Sequence, residues 1–253
     1  MTELEKQCFS VARGFALDEE RDNRLVGTLG EKPIHRTLKY YIEPDKTKHE
    51  VKLCGFVADV LNEQGIFEIQ TRAFDRLRKK LDSFLPEHHV TLVFPLIREK
   101  RLFWSDPMTG VTSPPRRVSK KGRLSDALSE LSKIKKYLGN ENLSFRIYVL
   151  SADEYRLLDG YGEERKKRAT KFTVIPTELL EVLEFGSLGE LDALIPAELP
   201  ERFTAKDFYK VIAMKGRRAS FALSLCVELG FIAMVGKLGR AYVYEKAVPK
   251  KEW

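Results

Sequence analysis

Cysteine is scarce: Cys8, Cys54 and Cys226 are the three in 253 residues. Odd in number and widely spaced, they exclude a disulfide framework and offer no zinc motif, which points to a reducing compartment. All three read as small core residues. Long apolar runs are missing too, since no stretch approaches the ~20 residues of a bilayer-crossing helix. The opening "MTELEKQCFS" lacks the basic-then-apolar order of a secretory signal. No low-complexity tract or internal repeat is evident. These absences leave a cytoplasmic globular protein with no membrane partner, 43% hydrophobic and 32% charged. Its length suits one large domain or two small ones.

Acidic charge is lacking in two places. Residues 201–253 hold eleven Lys/Arg against five Asp/Glu, and residues 98–123 hold eight against two. Each segment carries +6 in a chain of net charge +7, leaving the remainder slightly acidic at −5. Two concentrated basic segments suggest a polyanionic partner, with nucleic acid first among the candidates. Ordinary solvated lysine and arginine is the plainer alternative.

The acidic residues that draw attention lie in "GFVADVLNEQGIFEIQT", residues 55–71. Alternation puts Asp59 on one face of a strand with Val57 and Leu61, and Glu68 on one face of the next with Ile66 and Gln70. "NEQG" is a hairpin connection in which Gly65 takes positive φ. A two- or four-residue loop sets Leu61 opposite Ile66, Asp59 opposite Glu68 and Val57 opposite Gln70, whereas a three-residue loop slips that pairing. In the first register the two carboxylates stand roughly 5 Å apart at Cβ. Like charges so close call for an offset, and a divalent cation taking oxygen ligands supplies one. A merely solvated acidic face is the competing explanation. Against it, the opposite face is wholly apolar and this one carries Val57, Leu61 and Ile66, so the sheet is covered on both sides.

Around the hairpin, Pro33 opens a helix running to about Ile42 with Ile34, Leu38 and Tyr41 inward. Residues 1–30 look irregular, with at most one short helix. "EVKLCGFVADVL" and "GIFEIQT" read as strands, "RAFDRLRKKLDSFL" as an amphipathic helix and "HVTLVFPLI" as a strand buried on both faces. Residues 101–123 have the turn residues of a hairpin or flap. A helix at about Ser125–Leu138 and a strand "LSFRIYVLS" follow. In "TAKDFYKVI", Thr204 is an N-cap with Asp207 at the capping-box position. A second helix stops at Gly230, and "FIAMVGKLGRAYVYEK" alternates as two strands around a basic turn.

With helix, carboxylate hairpin, second helix and strand in that order, residues 30–97 resemble the PD-(D/E)XK nuclease superfamily, in particular its Holliday-junction-resolvase-like branch. Asp59 matches the motif's aspartate, Glu68-Ile69-Gln70 matches its (D/E)-x-K element, and Glu31 matches the acidic residue many members present from the first helix. The resemblance implies Asp59 and Glu68 as Mg²⁺ (or Mn²⁺) ligands, with the Ile69 carbonyl as a third, and a metal-activated water attacking a phosphodiester. One departure matters: Gln70 stands where the family has lysine and cannot carry its charge, although some members do use glutamine there. His35, one helical turn beyond Glu31, reads as a base, a partner that orients a carboxylate, or a polar rim residue. Glu31 could equally serve only the helix dipole, at about 0.3–1 kcal/mol. Residues 203–246 resemble winged helix domains, which place a helix in the major groove and a β-hairpin wing on the backbone.

The expected fold is α/β: a PD-(D/E)XK-like mixed sheet flanked by helices over residues 1–175, with a basic flap at 98–123. A helical connector at 176–200 and a small winged helix-turn-helix domain at 201–253 complete it. The expected activity is Mg²⁺-dependent endonucleolytic cleavage of double-stranded or branched DNA, with Asp59, Glu68, Gln70 and Glu31 as the reaction centre. Lys215, Arg217, Arg218, Lys237, Arg240, Arg116, Arg117, Lys120 and Lys121 are the expected DNA contacts, and a homodimer is compatible with them. Two other readings compete: a non-catalytic DNA-binding regulator or repair accessory factor with an inactive nuclease fold, and an assembly module whose winged helix binds protein.

Overall fold

A computed structural model describes residues 2–25, 32–118, 121–160 and 169–247, with backbone only for 20–25. The architecture is mixed α/β, helices with a large mixed sheet. It divides into two compact units, each assembled from separate pieces of chain. The first comprises Met1–Thr71, Thr91–Gly122 and Arg146–Leu183, and the second comprises Arg72–Val90, Arg123–Phe145 and Glu184–Trp253. Among the described residues, no helix is long and apolar enough to cross a membrane.

The first unit begins with α1 (Glu3–Leu25), a 23-residue helix where the sequence suggested irregular chain. Its buried residues are few and mostly small, Phe9, Ala12 and Ala16, while Leu4, Val11 and Phe15 are exposed, so no clean apolar period announces it. Packing supplies what periodicity does not. Phe9 meets Tyr41 of α2 (Pro33–Ile42) edge-on at 5.6 Å, and the buried Arg36 donates to the Ala16 carbonyl at 3.0 Å. Helix α2 runs over the expected residues, with proline in its first turn and Ile34 and Leu38 buried.

Seven strands follow among the described residues: β1 (His49–Leu53), β2 (Phe56–Asn62), β3 (Gly65–Ile69), β4 (Val90–Ser105), β5 (Arg116–Arg117), β6 (Leu143–Leu157) and β7 (Thr170–Phe185). Their order is β1-β2-β3-β4-β6-β7, with β5 paired to β4. Two expectations need correction. "EVKLCGFVADVL" is two strands, because Cys54 (φ 48°) and Gly55 (φ 78°) reverse the chain between β1 and β2. Residues 176–185, expected in a helical connector, belong to β7, whose one proline, Pro176, and scattered apolar positions sit on a long, half-buried strand. Val60, Phe67, Ile69, Val93, Tyr148, Leu150 and Leu179 form the core with Phe9, Ile34 and Leu38. At about 1.5–3 kcal/mol for each large side chain, this cluster dominates the unit's stability.

The basic segment 98–123 is a hairpin arm, as its turn residues suggest. Strand β4 runs on through Arg98–Arg101, and β5 pairs Arg117 with Arg101 and Arg116 with Leu102. The arm closes where the Gly122 amide donates to the Ile97 carbonyl at 3.0 Å, leaving no room for a side chain: a Cβ there would lie 2.5 Å from that oxygen.

The second unit contains a 3-10 turn, Phe74–Leu77, leading into α3 (Arg78–Phe84), with Phe74, Leu77, Leu81 and Phe84 on the buried stripe. The helix expected at 125–138 is broken into a 3-10 turn, α4 (Leu128–Leu131) and a second 3-10 stretch, Ser132–Tyr137. The fully buried Ile134 departs from helical geometry (φ −121°, ψ 20°), so packing overrides local propensity there. Then come β8 (Arg202–Thr204), α5 (Ala205–Val211), α6 (Gly216–Glu228), β9 (Ile232–Leu238) and β10 (Ala241–Lys246), the strands ordered β8-β10-β9. The capping box is present: the Thr204 hydroxyl accepts from the Asp207 amide, and the Asp207 carboxylate accepts from the Thr204 amide at 2.9 Å. Of the cysteines expected in the core, Cys8 and Cys54 are exposed; only Cys226 is buried, which pushes its thiol up to about 12.

Candidate functional site

The β2–β3 hairpin closes with a two-residue loop, Glu63–Gln64, between paired Asn62 and Gly65. Leu61 pairs with Ile66 and Val60 with Phe67. One further step along that register sets Asp59 opposite Glu68, the arrangement read from the sequence. Ala58, Val60, Phe67 and Ile69 are buried on the core face. On the other face Val57 is 42% exposed, the Asp59 side chain is 19% exposed and Glu68 is only 2% exposed. The carboxylates therefore sit in a partly enclosed setting.

Asp59 does two things there. Its Oδ2 accepts the backbone amide of Ile69 at 2.8 Å, replacing a ladder bond at the end of β3. The same oxygen lies 3.1 Å from His35 Nε2, brought in by α2. Next along the chain, the Gln70 amide donates to the Val93 carbonyl of β4 at 2.9 Å. Strand β3 lies between β2 and β4, so successive amides turn to opposite neighbours: that of Ile69 to the β2 side, where Asp59 accepts it, and that of Gln70 to β4. Among the described residues no three His, Cys, Asp or Glu side chains gather as a ligand group. Glu31 and Lys120 lie outside the described residues.

The basic residues singled out from the sequence are placed unequally. Arg116 is exposed on β5; Arg117 donates to Glu99 at 2.9 Å, and Lys121 stands 3.7 Å from the same carboxylate. Lys215 and Arg217 are exposed at the start of α6. Arg218 turns instead to Ser129, its guanidinium 3.3 Å from the hydroxyl. At the tip of the β9–β10 hairpin Arg240 is exposed beside Gly239 (φ 60°), and the Lys237 ammonium rests over the Tyr242 ring at 5.0 Å.

One charged group escaped the sequence reading. Glu154, 2% exposed on β6, accepts from Lys100 Nζ and from Arg156 Nε, each at 2.7 Å. Burial acts first and pushes this carboxyl up, but the two cations outweigh it and hold it below the usual carboxylate range. The available signal was the charged residues inside strand-length runs, which become legible only once β4 and β6 are neighbours.

Residues 32–186 match the model of the family described as "Domain of unknown function (DUF8091)". The chain belongs to that family. The matched span holds His35, Asp59, Glu68, Gln70 and Glu154, and it ends before β8, so α5, α6 and the β9–β10 hairpin lie outside the DUF8091 match. A relative from Treponema pallidum (strain Nichols), described as "Uncharacterized protein", is 30% identical over 230 residues, 88% of each chain. The similarity to that relative therefore extends well beyond the DUF8091 span. No solved structure matches.

Proposed function

We propose that this protein binds DNA and hydrolyses its phosphodiester bonds at the Asp59–Glu68 pair with a divalent metal ion. What carries the reading is the hairpin: two carboxylates face one another across β2 and β3, with α2 ahead of them, α3 and β4 after, in the order of the PD-(D/E)XK core. The donors suit Mg²⁺ or Mn²⁺, because Asp59, Glu68 and the Ile69 carbonyl all offer hard oxygen. Mg²⁺ commonly takes one or two carboxylates and keeps its waters, so two suffice. When bound, such an ion supplies an activated water and charge for the developing oxyanion.

The chain's own residues do the rest. His35 fixes the orientation of Asp59 and stands within proton-transfer distance of its carboxylate. Gln70 offers an amide in place of the family's lysine, so charge near the phosphate has to come from elsewhere. Strand β8, helices α5 and α6 and the β9–β10 hairpin follow the winged helix plan, with Arg217 on the second helix and Lys237 and Arg240 on the wing. These residues and the exposed Arg116 would hold the duplex backbone.

A cleavage screen over linear, branched and single-stranded DNA with Mg²⁺ or Mn²⁺ tests this. Expected is metal-dependent nicking that Glu68→Ala abolishes while DNA affinity stays within a few-fold of wild type. Cleavage undiminished by Glu68→Ala would move the site elsewhere. A specific observation favours one alternative, a non-catalytic DNA-binding protein: Gln70 is uncharged, and Asp59 Oδ2 is already engaged by an amide and a histidine. DNA binding without cleavage under either metal would select it.

A further inference from the structure

Helix α1 carries two apolar faces, and the fold uses one of them. Phe9, Ala12 and Ala16 are buried, with Phe9 set edge-on to Tyr41 of α2. Leu4, Val11 and Phe15 stay 68%, 57% and 51% exposed, and Cys8 is exposed between them. Phe15 meets the Tyr40 ring of α2, centroids 5.7 Å apart, and still keeps half its surface in water. Exposed apolar residues scattered singly are ordinary, whereas a row of them along one line marks an interaction surface.

These four form such a row. They are spaced four, three and four residues apart, the spacing of a coiled-coil seam. At 3.6 residues per turn they fall within about 60° of the helix circumference and extend over about 17 Å. Thr2 and Glu5 close the first turn that holds Leu4: the Glu5 carboxylate accepts the Thr2 amide at 2.6 Å, and the Thr2 hydroxyl accepts the Glu5 amide at 3.2 Å. Beside the row, away from the core, lie Gln7, Ser10 and Gly14, all exposed and uncharged. A Cβ added at Gly14 would meet nothing within 4 Å, so another backbone can approach there. Arg13, the one charged residue between Gln7 and Leu17, points to the opposite side of the helix.

The row is also complementary to itself. A two-fold axis midway between Cys8 and Val11 sets Leu4 opposite Phe15 of a second copy and Cys8 opposite its Val11, each pairing made twice. A two-fold interface requires that reciprocity, residue i on j and j on i. Charge selects the direction. Asp18 stands at the next position of the same spacing and ends the apolar row. Parallel helices would bring the two Asp18 carboxylates side by side, whereas antiparallel helices keep them at opposite ends.

We propose that α1 docks antiparallel against α1 of a second copy of this chain through Leu4, Cys8, Val11 and Phe15. Eight side chains make a small interface, so the dimer is a weak one, with a Kd on the order of 10 μM. It is independent of the DNA reading above.

Sedimentation equilibrium of the full chain under reducing conditions, at concentrations spanning that Kd ten-fold to either side, tests the seam. The mass should rise from one chain toward two. Val11→Glu changes a solvent-exposed position, so a thermal melt of dilute protein should be unaltered while association weakens at least ten-fold. Orientation is read from cross-links in a Cys8→Ser/Cys54→Ser background with oxidised glutathione. Leu4→Cys mixed with Phe15→Cys should give a disulfide-linked pair of the two variants, and neither variant should link to itself. A chain monomeric throughout, or association untouched by Val11→Glu, would overturn the seam. Self-linking of each variant without mixed pairs would overturn the antiparallel arrangement.

Discussion

Replacing Asp59 by alanine should weaken the fold as well as any chemistry. Ile69 is 1% exposed, and its amide donates to Asp59 Oδ2 at 2.8 Å. Without that acceptor a buried N–H is orphaned, at about 1–3 kcal/mol, and a bond to a charged acceptor is lost as well. We expect about 2–3 kcal/mol of destabilisation for Asp59→Ala, in the range given for bonds to charged groups. Asp59→Asn keeps an oxygen for the Ile69 amide and should cost about 1 kcal/mol.

Trp104 reports on this unit, being 8% exposed on β4; Trp253 is the second tryptophan and is removed by Trp253→Phe. With a urea m-value of about 2 kcal/mol/M, the alanine variant's midpoint should fall by about 1–1.5 M and the asparagine variant's by about 0.5 M. An Asp59→Ala midpoint equal to that of the parent would refute the assigned role of the carboxylate at the end of β3. The comparison also guards the functional test. Loss of cleavage in Asp59→Ala alone confounds folding with chemistry, whereas loss in a well-folded Asp59→Asn isolates the chemistry.

Two further outcomes are expected. Glu154→Gln should destabilise the protein by about 3 kcal/mol, since a buried carboxylate is withdrawn from Lys100 and Arg156. Because the folded carboxyl titrates below its ordinary 4.5, the wild-type advantage is fully present above that pH and fades as pH falls through the lower folded value, which urea melts at pH 7, 5 and 3 would follow; a gap independent of pH would contradict the pairing. Gly122→Ala places a Cβ 2.5 Å from the Ile97 carbonyl oxygen and should cost about 1–3 kcal/mol, seen as a lowered Tm, whereas an unchanged Tm would show that the arm closes differently.

What the sequence made legible is local. Proline at position 33 and the inward Ile34 and Leu38 delimit α2, Thr204 and Asp207 announce α5, and alternation around Gly65 gives the hairpin register. Each signal lies within a few residues of what it specifies. Helix α1 escaped because small buried residues, Ala12 and Ala16, do its packing against α2. Strand β7 escaped because its burial is partial along most of its length. The pairing of Glu154 with Lys100 left no mark at all: the two residues lie on separate strands, and only the sheet order brings β4 and β6 together.

The hairpin ties the candidate chemistry to the turn. Asn62 Oδ1 accepts the Gln64 amide at 2.9 Å, and Gly65 takes φ 112°, a conformation other residues rarely adopt. These two residues hold the loop at its length and thereby the register of everything beyond it. A one-residue slip would turn Glu68 to the face where Val60, Phe67 and Ile69 are buried, stranding a carboxylate in an apolar core. The same slip would take the Ile69 amide away from Asp59. Burial of the core face therefore selects the register that also opposes the two acids, and no separate interaction is needed to bring them together. The Ile69 amide is held by the Asp59 carboxylate on the β2 side and the Gln70 amide by the Val93 carbonyl of β4, so residues 69–70 are tied from both sides. These bonds hold the proposed site in one geometry, as positioning of a reacting group requires.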